Sequence, residues 1–172
     1  NLTAGFFAQE DKKNFTSSEI YDPMSINTHN GFSIPHKTIK IRIDLNTKRL
    51  ESIQKIFKQR ETEYTQLSSI SFEEFIIWHT RMYQVKYALL YDKYLLKDIN
   101  ASPNNNPLYL KEKLTLHRQE LDFYKPKIAE FKSLKNEDRI SEYDVGLLQY
   151  KIINRYGAYK ITASIYKDIS SK

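Results

Sequence analysis

A chain of 172 residues with 40% apolar, 13% aromatic and 28% charged residues is long enough to bury one sizeable core and too aromatic to be a disordered chain. It contains no cysteine, which excludes disulfides, thiolate nucleophiles and sulfur-bound metal, and its 4 Gly and 5 Pro are too few for a many-turned β-fold or a phosphate-cradling glycine loop. No run approaches the roughly 18 apolar residues of a membrane span, and no signal peptide is legible. The first residue is Asn1 rather than Met, which reads as removal of an upstream segment. The expectation is therefore an extracytoplasmic protein, periplasmic or secreted, with the cytoplasm left open. Abundant Lys, Ile, Asn and Tyr fit an AT-rich genome, commonly a bacterial one.

Residues 1–37 show neither a helical nor a strand period and read as an irregular arm carrying Phe6, Phe7, Phe15 and Tyr21; residues 38–172 form the single domain. Thr38–Leu45 alternates strictly, with Ile39, Ile41 and Ile43 on one side and Lys40, Arg42 and Asp44 on the other. That pattern predicts one amphipathic strand. A first helix is expected from Asn46 or Thr47 as N-cap to about Gln66, with Leu50, Ile53, Phe57 and Tyr64 on its stripe.

Ser71 with Glu74 reads as a capping box that opens a second helix to about Asp98, and its apolar face is so broad that the helix should be central. The polar run 100–106 is a loop, and Pro107 suits the first turn of a third helix because its missing amide has no partner there anyway. That helix spaces Leu110, Leu114, His117, Leu121, Tyr124, Ile128 and Phe131 as a heptad seam, with a kink expected at Pro126. A fourth opens at Ser141 and faces inward with Val145, Leu148, Ile152, Tyr156 and Tyr159; the stretch 160–167 reads either as its continuation or as a strand pairing with Thr38–Leu45. The fold class is thus mostly α, an antiparallel bundle of about four long helices with a small N-terminal strand element.

If helices two and three form a hairpin about the 100–106 loop, residue i faces about residue 205 − i. His79 then lies opposite Pro126 and His117 opposite Ala88, with the two rings about 13 Å apart along the axis, too far to share one ion. Both read as core histidines. No nucleophile, metalloprotease or di-iron pattern occurs, so the expectation is a protein without enzymatic activity, cofactor or metal. Neighbouring carboxylates such as Glu73 with Glu74 and Glu137 with Asp138 stand at helix starts, where they complement the helix dipole.

Charge carries the most information. Residues 37–60 hold eight basic and two acidic groups, a local +6 equal to the net charge of the whole chain. This concentration points to binding of an acidic protein through Lys40, Arg42, Lys48, Arg49, Lys55 and Lys58, with Ile39, Ile41 and Ile43 forming a strand edge that a partner extends. The function expected is a bacterial protein-binding module, an adaptor or a neutralising partner of a toxin or enzyme. The alternative is a nucleic-acid-binding helical protein, for which the charge speaks but no recognition motif does.

Overall fold

A computed structural model describes residues 36–60, 69–137 and 141–172, apart from the side chains of 69–73, Phe131 and Leu134. Four α-helices, α1 (His36–Gln59), α2 (Ser69–Lys97), α3 (Pro107–Asn136) and α4 (Glu142–Ser170), pack against one another, with a 3-10 turn over Pro103–Asn105. Of the described residues, 91% are helical. The four-helix bundle expected from the periodicity is the observed architecture. The arm as far as residue 35 lies outside the described residues.

The strand expected from alternation is helical instead, and the stretch that read as either helix or strand is helix. Thr38–Leu45 lies inside α1 and 160–167 inside α4. A strand has to find a ladder partner for its amides, whereas α1 satisfies them within itself and buries Ile39, Arg42, Asn46, Arg49 and Ile53 at spacings of three and four. Alternation is kept only as Ile41 left at the surface, 45% exposed. Asn46, expected as an N-cap, is therefore mid-helix and wholly buried, and α1 ends at Gln59, with 61–66 of the expected helix outside the described residues. Gly157 does not end α4, because helical packing of Thr162, Tyr166 and Ile169 continues beyond it.

The punctuation of α3 and α4 follows from single side chains. Asn106 caps α3 by accepting from Leu108 N at 2.9 Å, ahead of Pro107. Pro126 stands within α3 on its solvent side. Ser141 and Asp144 close a capping box at the start of α4: Ser141 Oγ accepts from Asp144 N at 3.2 Å, and the Asp144 carboxylate accepts from Ser141 N at 2.9 Å.

Consecutive helices form antiparallel hairpins. Between α1 and α2, Arg42 meets Asp92 and Arg60 meets Glu74; between α3 and α4, Lys135 meets Glu142 and Glu120 meets Arg155. The α2–α3 pairs His79–Tyr124, Tyr87–His117 and Lys93–Glu112 lie within two residues of the register expected from the loop position. The most extensive packing is α1 on α2 and α3 on α4, so the bundle is two hairpins joined along α2 and α3. Apolar clusters fill it in sections: Ile53, Trp78 and Val85 within the first hairpin, Phe75, Tyr124, Val145 and Leu148 across the join, and Ile39, Tyr91, Tyr94, Leu95, Tyr109 and Leu110 near the turn.

Candidate functional site: a polar seam, a basic face and an outward apolar face

Along the join, α2 and α3 bring buried aromatic and titratable groups together. His79 is fully buried, its ring stacked on Phe123 at 4.1 Å and close to Phe75 and Tyr83. Its Nδ1 is hydrogen-bonded to the Tyr124 hydroxyl at 2.5 Å, while Nε2 has no hydrogen-bond partner among the described residues. Burial, with Lys151 and Lys86 nearby, lowers its pKa to about 3, so it serves the core as a neutral aromatic ring.

Two turns away, Tyr87, His117, Glu120 and Arg155 form a connected network. The Tyr87 hydroxyl stands 2.7 Å from His117 Nδ1 and 3.0 Å from Glu120 Oε2, and Arg155 Nε donates to the other oxygen of Glu120. The single phenolic proton serves only one neighbour. Arg155 Nη2 also stands 3.4 Å from His117 Nδ1, and Thr162 Oγ1, 3.4 Å from His117 Nε2, gives its own proton to the Ala158 carbonyl at 3.0 Å. Burial first, then Arg155 and Lys113, lowers the His117 pKa to about 3, while burial and Glu120 raise that of Tyr87.

This network forms one wall of a cleft of about 340 Å³ bounded by Tyr87, Tyr91, Tyr109, Lys113, His117 and Arg155, with Ala158, Ile161 and Thr162 of α4 completing it. Among the described residues no group of three or more His, Asp or Glu side chains is placed to hold a metal ion.

The residues that charge pointed to are divided by α1. Lys40, Lys48, Lys55 and Lys58 are exposed, together with Lys37, and form a basic outer face on which Lys48 also meets Asp44 at 3.1 Å. Arg42 and Arg49 are buried, each 3% exposed. Arg42 makes a two-pronged pair with Asp92, one arm at 2.7 Å; burial pushes the Asp92 carboxyl up and Arg42 opposes it. These two arginines belong to the α1–α2 seam, so neither is a surface contact, and reversing Arg49 would disturb the core rather than a binding face. The expected strand edge is absent as well: Ile39 is buried, Ile43 half-buried and Ile41 exposed on a helix.

The surface that sequence reasoning missed lies on α4. Val145, Leu148 and Ile152 face α3, but Tyr143, Tyr150 and Ile153 point away from the bundle and are 73%, 68% and 70% exposed, with Ile161, 64% exposed, at the rim of the cleft. Gly146 and Gly157 fall on the same outward side at spacings of three and four, and a Cβ added at either would meet nothing within 4 Å. The signal was legible as a second apolar stripe, hidden because 160–167 also fits a strand.

An antiparallel four-helix protein with a polar seam and an apolar helix face left exposed among the described residues is the class these observations define. No protein-family model, curated protein or solved structure matches the chain. No helix among the described residues is long and apolar enough to cross a membrane.

Proposed function

We propose that the chain is a non-enzymatic protein-binding module, bacterial and extracytoplasmic, that acts as an adaptor or neutralising partner, and that its contact surface is the outer face of α4. One observation carries this reading. α4 is apolar on both sides, as a helix between two neighbours is, yet α3 covers only one of them. α2, the other helix of this kind, has α1 on one side and α3 on the other. Tyrosine and isoleucine at this exposure are the anchors expected of an interface centre.

The occupant that fits is an amphipathic helix of an acidic protein. Gly146 and Gly157 leave notches between Tyr143, Tyr150, Ile153 and Ile161 into which side chains of a second helix insert at spacings of three and four. A second copy of the chain brings another +6 and is repelled, whereas an acidic partner is drawn in by Lys160 and Lys167 on α4 and by the lysines of α1. Tyr87, Glu120 and Arg155 spend their hydrogen bonds on one another, which supports a structural rather than a catalytic role for the network.

The test compares the wild-type chain with Ile153→Glu. Proteins captured by the wild type from an extract of the source cells are purified and their association measured at rising salt. An acidic protein whose binding weakens with salt and falls at least tenfold with Ile153→Glu supports the reading. A salt-dependent nucleic-acid ligand bound equally by both chains overturns it, and so does a wild-type homodimer in solution that Ile153→Glu separates.

A further inference from the structure

Apart from the cleft and the α4 face, the structure holds a groove of about 440 Å³ that among the described residues is lined by α2 and α3 alone. Two pairs on these helices fix its register: Lys93 meets Glu112 at 3.3 Å, and the Tyr87 hydroxyl meets His117 Nδ1 at 2.7 Å. Lys86 is thereby set opposite Gln119, and Leu89 and Leu90 opposite Leu116 and Thr115.

The groove has two unlike ends and an apolar floor. At one end the Lys93 ammonium is closed off by the Glu112 carboxylate. At the other stands Lys86, half-buried beside Gln119. Its ammonium lies 4.8 Å from the centroid of the Tyr83 ring and has no carboxylate within ion-pair distance among the ion pairs of the described residues. Burial lowers its pKa, so an anion beside it would restore the charged form. Between the ends, Leu89 packs on the Ile53–Trp78–Val85 cluster and Leu90 on the cluster about Tyr91 and Tyr109. The floor is therefore held by the core beneath it, and Leu116 completes it from α3.

One unmatched positive charge at the head of an apolar trough calls for a ligand built the same way, with a single anionic head and an apolar tail. From Lys86 to Lys93, two turns of α2, the groove runs about 10 Å. An extended chain advances about 1.2 Å per bond, so a tail of about eight to ten carbons spans it. At about 30 Å³ per non-hydrogen atom the volume has room for about 15 such atoms, enough for one chain and too few for a two-chain lipid. We infer that the groove binds a single medium-chain fatty carboxylate, its head at Lys86 and Gln119 and its tail along Leu89, Leu90 and Leu116 toward the Lys93–Glu112 pair.

The probe is octanoate, titrated calorimetrically into the full chain. Beside it are titrated hexanoate, decanoate and dodecanoate, octanol, which lacks the charge, and octylammonium, which reverses it. The expected result is one saturable site for octanoate, with octanol and octylammonium at least tenfold weaker. A fully enclosed methylene changes affinity about fourfold and an open groove covers about half of it, so each two-carbon step up to decanoate should tighten binding about fourfold. Dodecanoate, whose tail passes the Lys93–Glu112 pair, should bind no tighter than decanoate. Lys86→Gln and Lys86→Met should each weaken octanoate at least tenfold, leave octanol as it was and keep the far-ultraviolet spectrum unchanged. The inference is overturned if octanoate does not bind, whether or not vesicles of phosphatidylglycerol do, or if octanol binds as tightly. It is overturned equally if affinity keeps rising through dodecanoate, or if both Lys86 variants bind octanoate like the wild type.

Discussion

In the α1–α2 hairpin the seam contains Arg42, Asn46 and Arg49 while Ile41 is left outside; in the α3–α4 hairpin the seam contains Leu110, Leu121, Tyr124, Val145 and Leu148 while Tyr143, Tyr150 and Ile153 are left outside. Both hairpins also bury other polar groups, Asp92 in the first and His117, Glu120 and Thr162 in the second; they differ outside, where α1 shows lysines to water and α4 shows tyrosines and isoleucines. Buried polar residues in a helical seam fix register more than they add stability, whereas an exposed apolar stripe costs solubility unless something covers it. On the proposed reading, α1 carries a structural seam with a steering surface, and α4 the docking surface.

The sharpest way to break this contrast is to remove one partner of the buried ion pair. Asp92→Ala leaves Arg42 charged and without its carboxylate in the seam, and denaturant unfolding should show a loss of about 3–5 kcal/mol. A loss under about 1 kcal/mol would mean that the pair is open to water.

Acid should act on the join between the hairpins. His79 and His117 both have folded pKa values of about 3, below the ordinary 6.5, so their contribution to stability is complete above about pH 6.5. As pH falls toward 3 the unfolded chain takes up protons that the folded chain refuses. Each histidine then removes up to about 1.4 kcal/mol per pH unit. Melting midpoints recorded from pH 7 to pH 5 should fall, and His79→Gln with His117→Gln should flatten that slope.

The buried amide of Asn46, whose nitrogen and oxygen find no hydrogen-bond partner among the described residues, gives the opposite sign. Asn46→Leu should raise stability by about 1–2 kcal/mol, read from the shift in denaturant midpoint, while loosening the register of α1 on α2. On α4, Gly146→Ala and Gly157→Ala should each add about 0.5–1 kcal/mol, because the new methyl meets open space and helix propensity improves. The same methyls fill the notches a partner helix needs, so these variants should melt higher and bind less.

Much of the bundle was legible because its period repeats. The heptad from Leu110 to Ile128, the capping box at Ser141, the turn at Pro107 and the facing of His79 and His117 rest on local spacing, and local spacing is what a sequence displays. The first part of α1, before Asn46, was not legible as helix, because the residues on its inner face at 42, 46 and 49 are polar while the isoleucines also alternate. Only the position of Asp92, 50 residues away, shows that Arg42 belongs inside. The cleft was illegible for the same reason: Tyr87, Lys113, His117 and Arg155 meet from three helices, and no spacing within one helix records that meeting.

The central claim is that the outer face of α4 meets another protein while α1 does not seat one. Its most direct test is to place a photo-crosslinking phenylalanine at position 153 in one chain and at exposed position 52 on α1 in another, and irradiate each in an extract of the source cells. The account predicts a discrete adduct with a different, acidic protein from position 153 and none from position 52. An adduct of twice the chain's own mass from 153, or adducts from 52 alone, would contradict it.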